Sequence, residues 1–225
     1  MIKAIIFDFD GTILDTESAW YEALRAEYEA HGAELTLETF SKCIGTSLDA
    51  FNPYEYINTL IQEPVDPVRF KQAVRERHRL IMKQVVIRPG IESFLQSAKE
   101  AGLRIGLASS SERSWIDRYL KPLGIEDYFE CIRTSDHVAK VKPDPELYVQ
   151  ALECLGVEPH EAIAIEDSAN GSLAAIAAGM HCLVVPNPAT RFSSFHPSCL
   201  MAECLSDVDF AAVVADPASL AAAKR

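Results

Sequence analysis

Short apolar runs recur along the chain, each bounded by Gly, Pro, Asp or Ser: Ala4–Phe7, Arg104–Ala108, Cys131–Arg133, Ala162–Ile165 and Cys182–Val185. Their hydrophobicity is continuous rather than alternating, which predicts strands of a parallel sheet covered on both faces. Helical periodicity fills the gaps, over Ile91–Ala101, Glu112–Leu120, Pro145–Leu155 and Ala169–Ala178. Pro145 at a helix start, with Asp144 as its cap, and Gly102, Gly156 and Gly179 just past helix ends punctuate the pattern. Strand and helix in alternation predict an α/β fold with right-handed crossovers.

The stretch from Asp15 to Arg88 breaks this rhythm. Its periodicity is helical, over Glu17–His31, Leu37–Cys43, Leu48–Ile61 and Val68–Val86, and it contains no convincing strand. Pro89-Gly90 marks the return to strand and helix. Two segments, 1–14 and 89–225, are therefore expected to build one α/β core around an inserted helical domain, 15–88. The Ala-rich tail from about Asp216 is read as a helix or a frayed end.

The 225 residues are 48% hydrophobic and 24% charged, ordinary for a globular chain and enough to bury a core without staples. The net charge of −12 argues against broad binding to nucleic acid or an anionic membrane. No apolar stretch reaches the roughly 18 residues of a membrane span. Asp8 and Asp10 interrupt the first apolar run too early for a signal peptide. The six cysteines form no CxxC pair and are expected to be buried free thiols in a reducing cytoplasm.

Acidic side chains stand at strand ends. Ala4–Phe7 runs into Asp8-Phe9-Asp10-Gly11-Thr12, and Ala162–Ile165 runs into Glu166-Asp167-Ser168. Ligands of open α/β sheets bind at that carboxyl edge. Four carboxylates converging there call for a cation, and hard oxygen donors suit Mg²⁺. Taken alone, the first group also fits an Asx-rich loop and the second a helix cap. Ser109-Ser110-Ser111 end the second strand and open a helix, the arrangement of an anion site or of an ordinary cap. Lys142, ahead of Pro143-Asp144-Pro145, is within reach of a phosphate or is a solvated charge.

Together, DFDGTILDTE, LASSS, KPDPELY and IEDSANG occur in order at the ends of successive strands. This combination resembles the haloacid dehalogenase superfamily of phosphotransferases, in its β-phosphoglucomutase and phosphoglycolate phosphatase-like branch, over nearly the whole chain. The resemblance implies a Rossmann-like doubly wound parallel sheet with an inserted all-α cap. It implies Asp8 as nucleophile and Asp10 as general acid and then base. Thr12, Ser109, Ser110 and Lys142 would hold the phosphoryl group. Asp8, Asp10 through its backbone carbonyl, Glu166 and Asp167 would hold Mg²⁺. The turn Ile44–Ser47, with Gly45 and Thr46, resembles the family's substrate-specificity loop. Asp10 itself marks phosphate rather than carbon–halogen chemistry, because dehalogenases of the superfamily lack it.

The implied activity is hydrolysis of a small phosphorylated metabolite, such as a sugar phosphate, by a cytoplasmic enzyme that is monomeric by default. The alternatives are a sugar phosphomutase and a non-catalytic metabolite-binding protein. Mutases of this type resemble the chain at Asp8, Asp10, Ser109, Lys142 and Asp167, but place a histidine ten residues after the second aspartate. Trp20 stands there in this chain. Lys71, Arg75, Arg79 and Lys83 recur every four residues on the last inserted helix, as a substrate contact or as a solvated face.

Overall fold

The computed structural model describes residues 1–44 and 51–217. The chain divides into two compact units, one of 1–14, 87–186 and 194–225, the other of 15–86 and 187–193.

The first unit is built on a parallel sheet. Its strands are β1 (Ala4–Phe7), β2 (Arg104–Ala108), β3 (Cys131–Arg133), β4 (Ala162–Glu166), β5 (His181–Val184) and β6 (Leu200–Met201), in the order β3-β2-β1-β4-β5-β6. β1 is central, paired from Ala4 to Phe7 with β2 on one side and β4 on the other. Every residue of β1 and of β4 is buried, as continuous hydrophobicity requires of a doubly covered sheet. The chain adds strands outward from β1 as far as β3, then crosses back to place β4 on the other side of β1. The reversal opens a crevice beyond the carboxyl ends of β1 and β4. The short edge strand β6 is too brief for a periodic signal and was not expected from the sequence.

The helical unit comprises α1 (Thr16–Ala30), α2 (Leu37–Ser41), α3 (Pro53–Tyr56) and α4 (Pro67–Ile81). Asp15, Thr36, Asn52 and Asp66 cap these helices by accepting from backbone N–H groups of their first turns. Leu24, Tyr28, Leu35, Phe40, Ile57, Phe70 and Val74 form the core. Tyr28 donates its hydroxyl to the Pro53 carbonyl, and Arg77 of α4 pairs with Glu27 of α1 at 2.8 Å. Lys71, Arg75, Arg79 and Lys83 are all exposed; Arg79 pairs with Glu76 and Lys71 lies 5.5 Å from the Tyr54 ring centre, as on a solvated face. The unit also takes in Asn187–Ser193, a segment the sequence places with the α/β part; Ala189 is fully buried in the helical core.

In the α/β unit the remaining helices are α5 (Ile91–Glu100), α6 (Arg113–Leu120), α7 (Glu146–Leu155), α8 (Ala169–Ala177) and α9 (Phe210–Ala215). Ile91, Phe94, Leu95 and Ala98 form the buried face of α5, at the i, i+3, i+4, i+7 spacing of one helix side. Arg88 stands just inside the unit. Its guanidinium donates to the carbonyls of Gly11, of Val185 at 3.1 Å and of Pro186 at 3.0 Å.

The cysteines correct one expectation: Cys131 of β3 and Cys154 of α7 are joined by a disulfide, while Cys43, Cys182, Cys199 and Cys204 are free. The crossover lays α7 on β3, so residues 23 apart in sequence come to 6.2 Å between Cα atoms, a bridging distance that spacing alone does not reveal.

Gly90 starts α5 with φ at +90°, and a Cβ there would lie 2.3 Å from the Ser206 backbone nitrogen. Gly90→Ala is expected to lower stability by at least about 2 kcal/mol, from backbone strain and the clash together. Urea unfolding of the two proteins measures it.

Candidate active site

The carboxyl ends of β1, β2 and β4 carry the site. Asp8 follows β1 directly, its N–H held by the Ile165 carbonyl at 3.0 Å. The ladder thus delivers the Asp8 side chain beside the end of β4, where Glu166 and Asp167 stand. Asp8, Glu166 and Asp167 are all buried, each with a carboxylate oxygen within 4.8 Å of the others. Asp8 Oδ2 is buried and has no hydrogen-bond partner.

One ammonium group enters this cluster. Lys142, from the loop between β3 and α7, lies 2.6 Å from Asp8 Oδ1 and 2.7 Å from Glu166 Oε1. Burial disfavours its charge, but the two carboxylates outweigh that effect and raise its pKa. Tyr148 of α7 donates to Glu166 Oε1 at 2.6 Å, and its ring lies 4.8 Å from the Lys142 ammonium. The other Glu166 oxygen accepts from the Asp167 N–H at 3.2 Å and the Ser168 hydroxyl at 3.2 Å. Glu166 thus takes donors on both oxygens, whereas Asp8 Oδ2 takes none. Gly171 makes room for this carboxylate: a Cβ there would sit 2.0 Å from both Glu166 oxygens. Ser168 caps α8 by accepting from the Gly171 N–H at 3.1 Å. The cap reading of this segment therefore holds for Ser168, while Asp167 is left to the cluster.

Burial raises the pKa of Asp8 to about 7; Lys142 opposes the rise and Glu166 adds to it. Three buried carboxylates against one ammonium leave uncompensated negative charge. The unpartnered Asp8 oxygen and the all-oxygen donor set fit a divalent cation. Asp8, Glu166 and Asp167 form a group that could hold it.

Asp10 points elsewhere. Its Oδ2 accepts from the Ser111 hydroxyl at 2.6 Å and lies 3.5 Å from the Ser109 hydroxyl, and its Oδ1 accepts from the Trp115 indole N–H at 2.8 Å. Its side chain therefore lies with the β2–α6 residues rather than in the carboxylate cluster. Ser109 is fully buried at the end of β2. Thr12 donates to Asp167 at 3.3 Å, and Ser110 is exposed. Gly45 and Thr46 lie outside the described residues. Ser111, Trp115 and Tyr148 were not among the expected site residues. Tyr148 lies inside the KPDPELY segment and Ser111 inside the serine run, so sequence marked the neighbourhood; only the fold shows the contacts.

A buried carboxylate with one open oxygen, an ammonium beside it, a carboxylate set that could hold a divalent cation and a second carboxyl held apart are what phosphoryl transfer requires at the switch point of a doubly wound sheet. The chain belongs to the haloacid dehalogenase-like hydrolase family, which it matches over residues 5–185. It is 46% identical over 211 residues to a protein named phosphatase YhcW from Bacillus subtilis (strain 168), covering 94% of this chain and 96% of that one. The phosphorylated carbohydrates phosphatase of Thermotoga maritima is 32% identical over 80% of this chain and 82% of its own. A β-phosphoglucomutase structure from Clostridium difficile has a TM-score of 0.69 at 27% identity, covering 95% of this chain and 96% of that one.

The raised pKa of Asp8 sets a sign for metal binding. Below about pH 7 a proton occupies the carboxyl that the cation needs, so binding must displace it. Divalent-cation affinity is expected to fall about tenfold per pH unit below that point and to level off above it. Calorimetric titration with MgCl₂ between pH 5.5 and 8 measures it; constant affinity would contradict the assignment.

Proposed function

We propose that the protein is a Mg²⁺-dependent phosphatase that hydrolyses a small phosphomonoester, of the sugar phosphate kind, through an aspartyl-phosphate on Asp8. The observation that carries this reading is Asp8 itself: buried at the switch point, bonded to Lys142 through one oxygen and with the other unpartnered.

Asp8, Asp167, Glu166 and the Asp10 backbone carbonyl would hold the Mg²⁺, which when bound offsets charge on the phosphoryl oxygens. Lys142 orients Asp8 and lowers the repulsion a carboxylate meets on approaching a phosphate. Asp8 attacks phosphorus, and Asp10 gives a proton to the departing oxygen. Asp10, now a carboxylate, takes a proton from water as that water attacks the phosphoryl group on Asp8. Phosphate leaves and both carboxyls return to their starting states. Dividing one displacement into two lets the same residue serve as acid and then base. Ser109 and Ser110 are read as phosphoryl-orienting, with Thr12 bracing Asp167. Gly45 and Thr46 are proposed to contact the substrate.

We read the two compact units as an α/β catalytic domain and an α-helical cap that selects the substrate. The proposed setting is a cytoplasmic monomer that takes no nucleic acid and no membrane as partner. No described helix is long and apolar enough to cross a membrane. The Cys131–Cys154 disulfide withdraws the thiol argument for the cytoplasm, so that placement rests on the metabolite class alone.

Likeness to a β-phosphoglucomutase favours a second reading, a sugar phosphomutase. At the position where such mutases place a histidine, Trp20 stacks on His78, with ring centres 3.6 Å apart. The indole supplies no base, which favours hydrolysis. Isomer exchange with a sugar bisphosphate tests the mutase.

Asp8→Asn is expected to keep the fold and to reduce Mg²⁺-dependent phosphate release below about a thousandth of wild type. A panel of sugar phosphates, phosphoglycolate, nucleotides and an aryl phosphate, with the variant alongside, measures it. Residual activity above that level would remove Asp8 from the role of nucleophile.

A further inference from the structure

Asp10 is held by two groups outside the cation cluster, one at the end of the serine run and one on the helix that follows it. Trp115 Nε1 donates to Oδ1 at 2.8 Å, and the Ser111 hydroxyl bonds to Oδ2 at 2.6 Å. Ser111 lies two residues before α6 and Trp115 in its first turn, so the entry to one helix grips both carboxyl oxygens. The indole is itself fixed. It meets the Tyr119 ring edge-on, with centroids 4.9 Å apart, and the Arg118 guanidinium lies 5.7 Å from its centre. Tyr119 in turn packs on Phe9 at 6.4 Å, and Phe9 is fully buried between Asp8 and Asp10 in the chain. Backbone and side chain of Asp10 are therefore tied to the same helix through one aromatic chain.

We propose that Trp115 is a positioning residue for Asp10: its indole N–H fixes the carboxyl for proton transfer and leaves Oδ2 as the oxygen that exchanges the proton. The inference rests on the reading of Asp10 as general acid and base. An indole N–H donates only, so Oδ1 is committed as an acceptor. A serine hydroxyl donates or accepts, so Oδ2 is served by Ser111 with or without a proton. As the bond from phosphorus to the departing oxygen breaks, its electron pair stays on that oxygen and the Oδ2 proton passes to it. The Asp10 carboxylate that results keeps both bonds, now as acceptor on each oxygen. It is then placed to take a proton from the water that cleaves the aspartyl-phosphate.

The dependence on leaving group separates positioning from packing. A sugar phosphate expels an alkoxide that needs the proton, whereas p-nitrophenyl phosphate expels a phenolate that does not. Two replacements divide the two properties of the indole. Trp115→Phe keeps aromatic bulk and loses the N–H. Trp115→His keeps a five-membered ring whose Nε2–H can stand where the indole N–H stood, and loses the fused six-membered ring.

The measurement is kcat/KM on glucose 6-phosphate and on p-nitrophenyl phosphate for wild type, both Trp115 variants and Asp10→Ala, with thermal melts of each. Trp115→Phe is expected to lose about tenfold on the sugar phosphate and less than about twofold on the aryl ester. Trp115→His is expected to retain more of the sugar phosphate activity than Trp115→Phe. Equal losses on both substrates, a better Phe than His variant, or no loss at all would overturn the assignment. If Asp10→Ala shows no difference between the two substrates, the general-acid reading fails, and the positioning role with it. If Asp10→Ala shows the difference and Trp115→Phe does not, the positioning role alone fails.

Discussion

The site depends on the ion pair of Lys142 with Asp8 and Glu166. A buried ammonium without partners would be costly, and so would two buried carboxylates facing each other. At 2.6 and 2.7 Å the lysine answers both. Its own position requires the loop before α7, the Tyr148 hydroxyl on Glu166 and a side-chain-free Gly171 behind that carboxylate. Residues from the end of β1, from β4 and from α7 thus meet at one nitrogen supplied by the β3–α7 loop. The compensation is incomplete, since one ammonium faces three carboxylates. What holds the fold together here also leaves the charge deficit and the open Asp8 oxygen that make the site fit for a cation.

Two carboxyls two residues apart have different surroundings. Asp8 stands in a buried, charge-rich cluster that raises its pKa. Asp10 is half-buried among Ser109, Ser111 and the Trp115 indole, with donors on both oxygens. An extended chain would turn both to the same side. After β1 the chain turns, with the Ile13 N–H on the Phe9 carbonyl at 2.9 Å, and the two side chains take different partners. In the proposed reading these two environments divide the nucleophile from the acid–base group.

Much of this was legible in the sequence. The first three strands run as their apolar runs predict, and β4 and β5 differ from theirs by one residue at the ends. Such runs are legible because a doubly covered sheet demands buried residues at every position. Each of Asp8, Glu166, Asp167 and Lys142 taken alone also fits a loop, a cap or a solvated charge, and it is the order of their motifs along the chain that singles them out in the sequence. Side-chain partners that join distant segments were not legible. Trp115 reads as one more apolar position on a helix, and its N–H finds Asp10 only when β2 lies beside β1. The Cys131–Cys154 bond depends likewise on α7 lying on β3. Asn187–Ser193 has no periodicity of its own, and its place in the helical unit rests on the burial of Ala189 and on the Asn187 side chain, which accepts from the Ala189 and Thr190 N–H groups.

Arg88 carries a consequence for how such a chain can vary. The chain leaves the α/β unit after Leu14 and again after Pro186, and returns first at Ile87. The Arg88 guanidinium joins carbonyls just ahead of both departures, at Gly11, Val185 and Pro186, and the Arg88 N–H bonds the Ile13 carbonyl at 2.9 Å. The exits and the first return are therefore fastened to one another from within the α/β unit, by bonds that owe nothing to the helices beyond. A scaffold closed in this way tolerates exchange of what is spliced into it. Helical segments of other lengths and surfaces could be spliced at these junctions while the bonds that hold the carboxylates stay as they are.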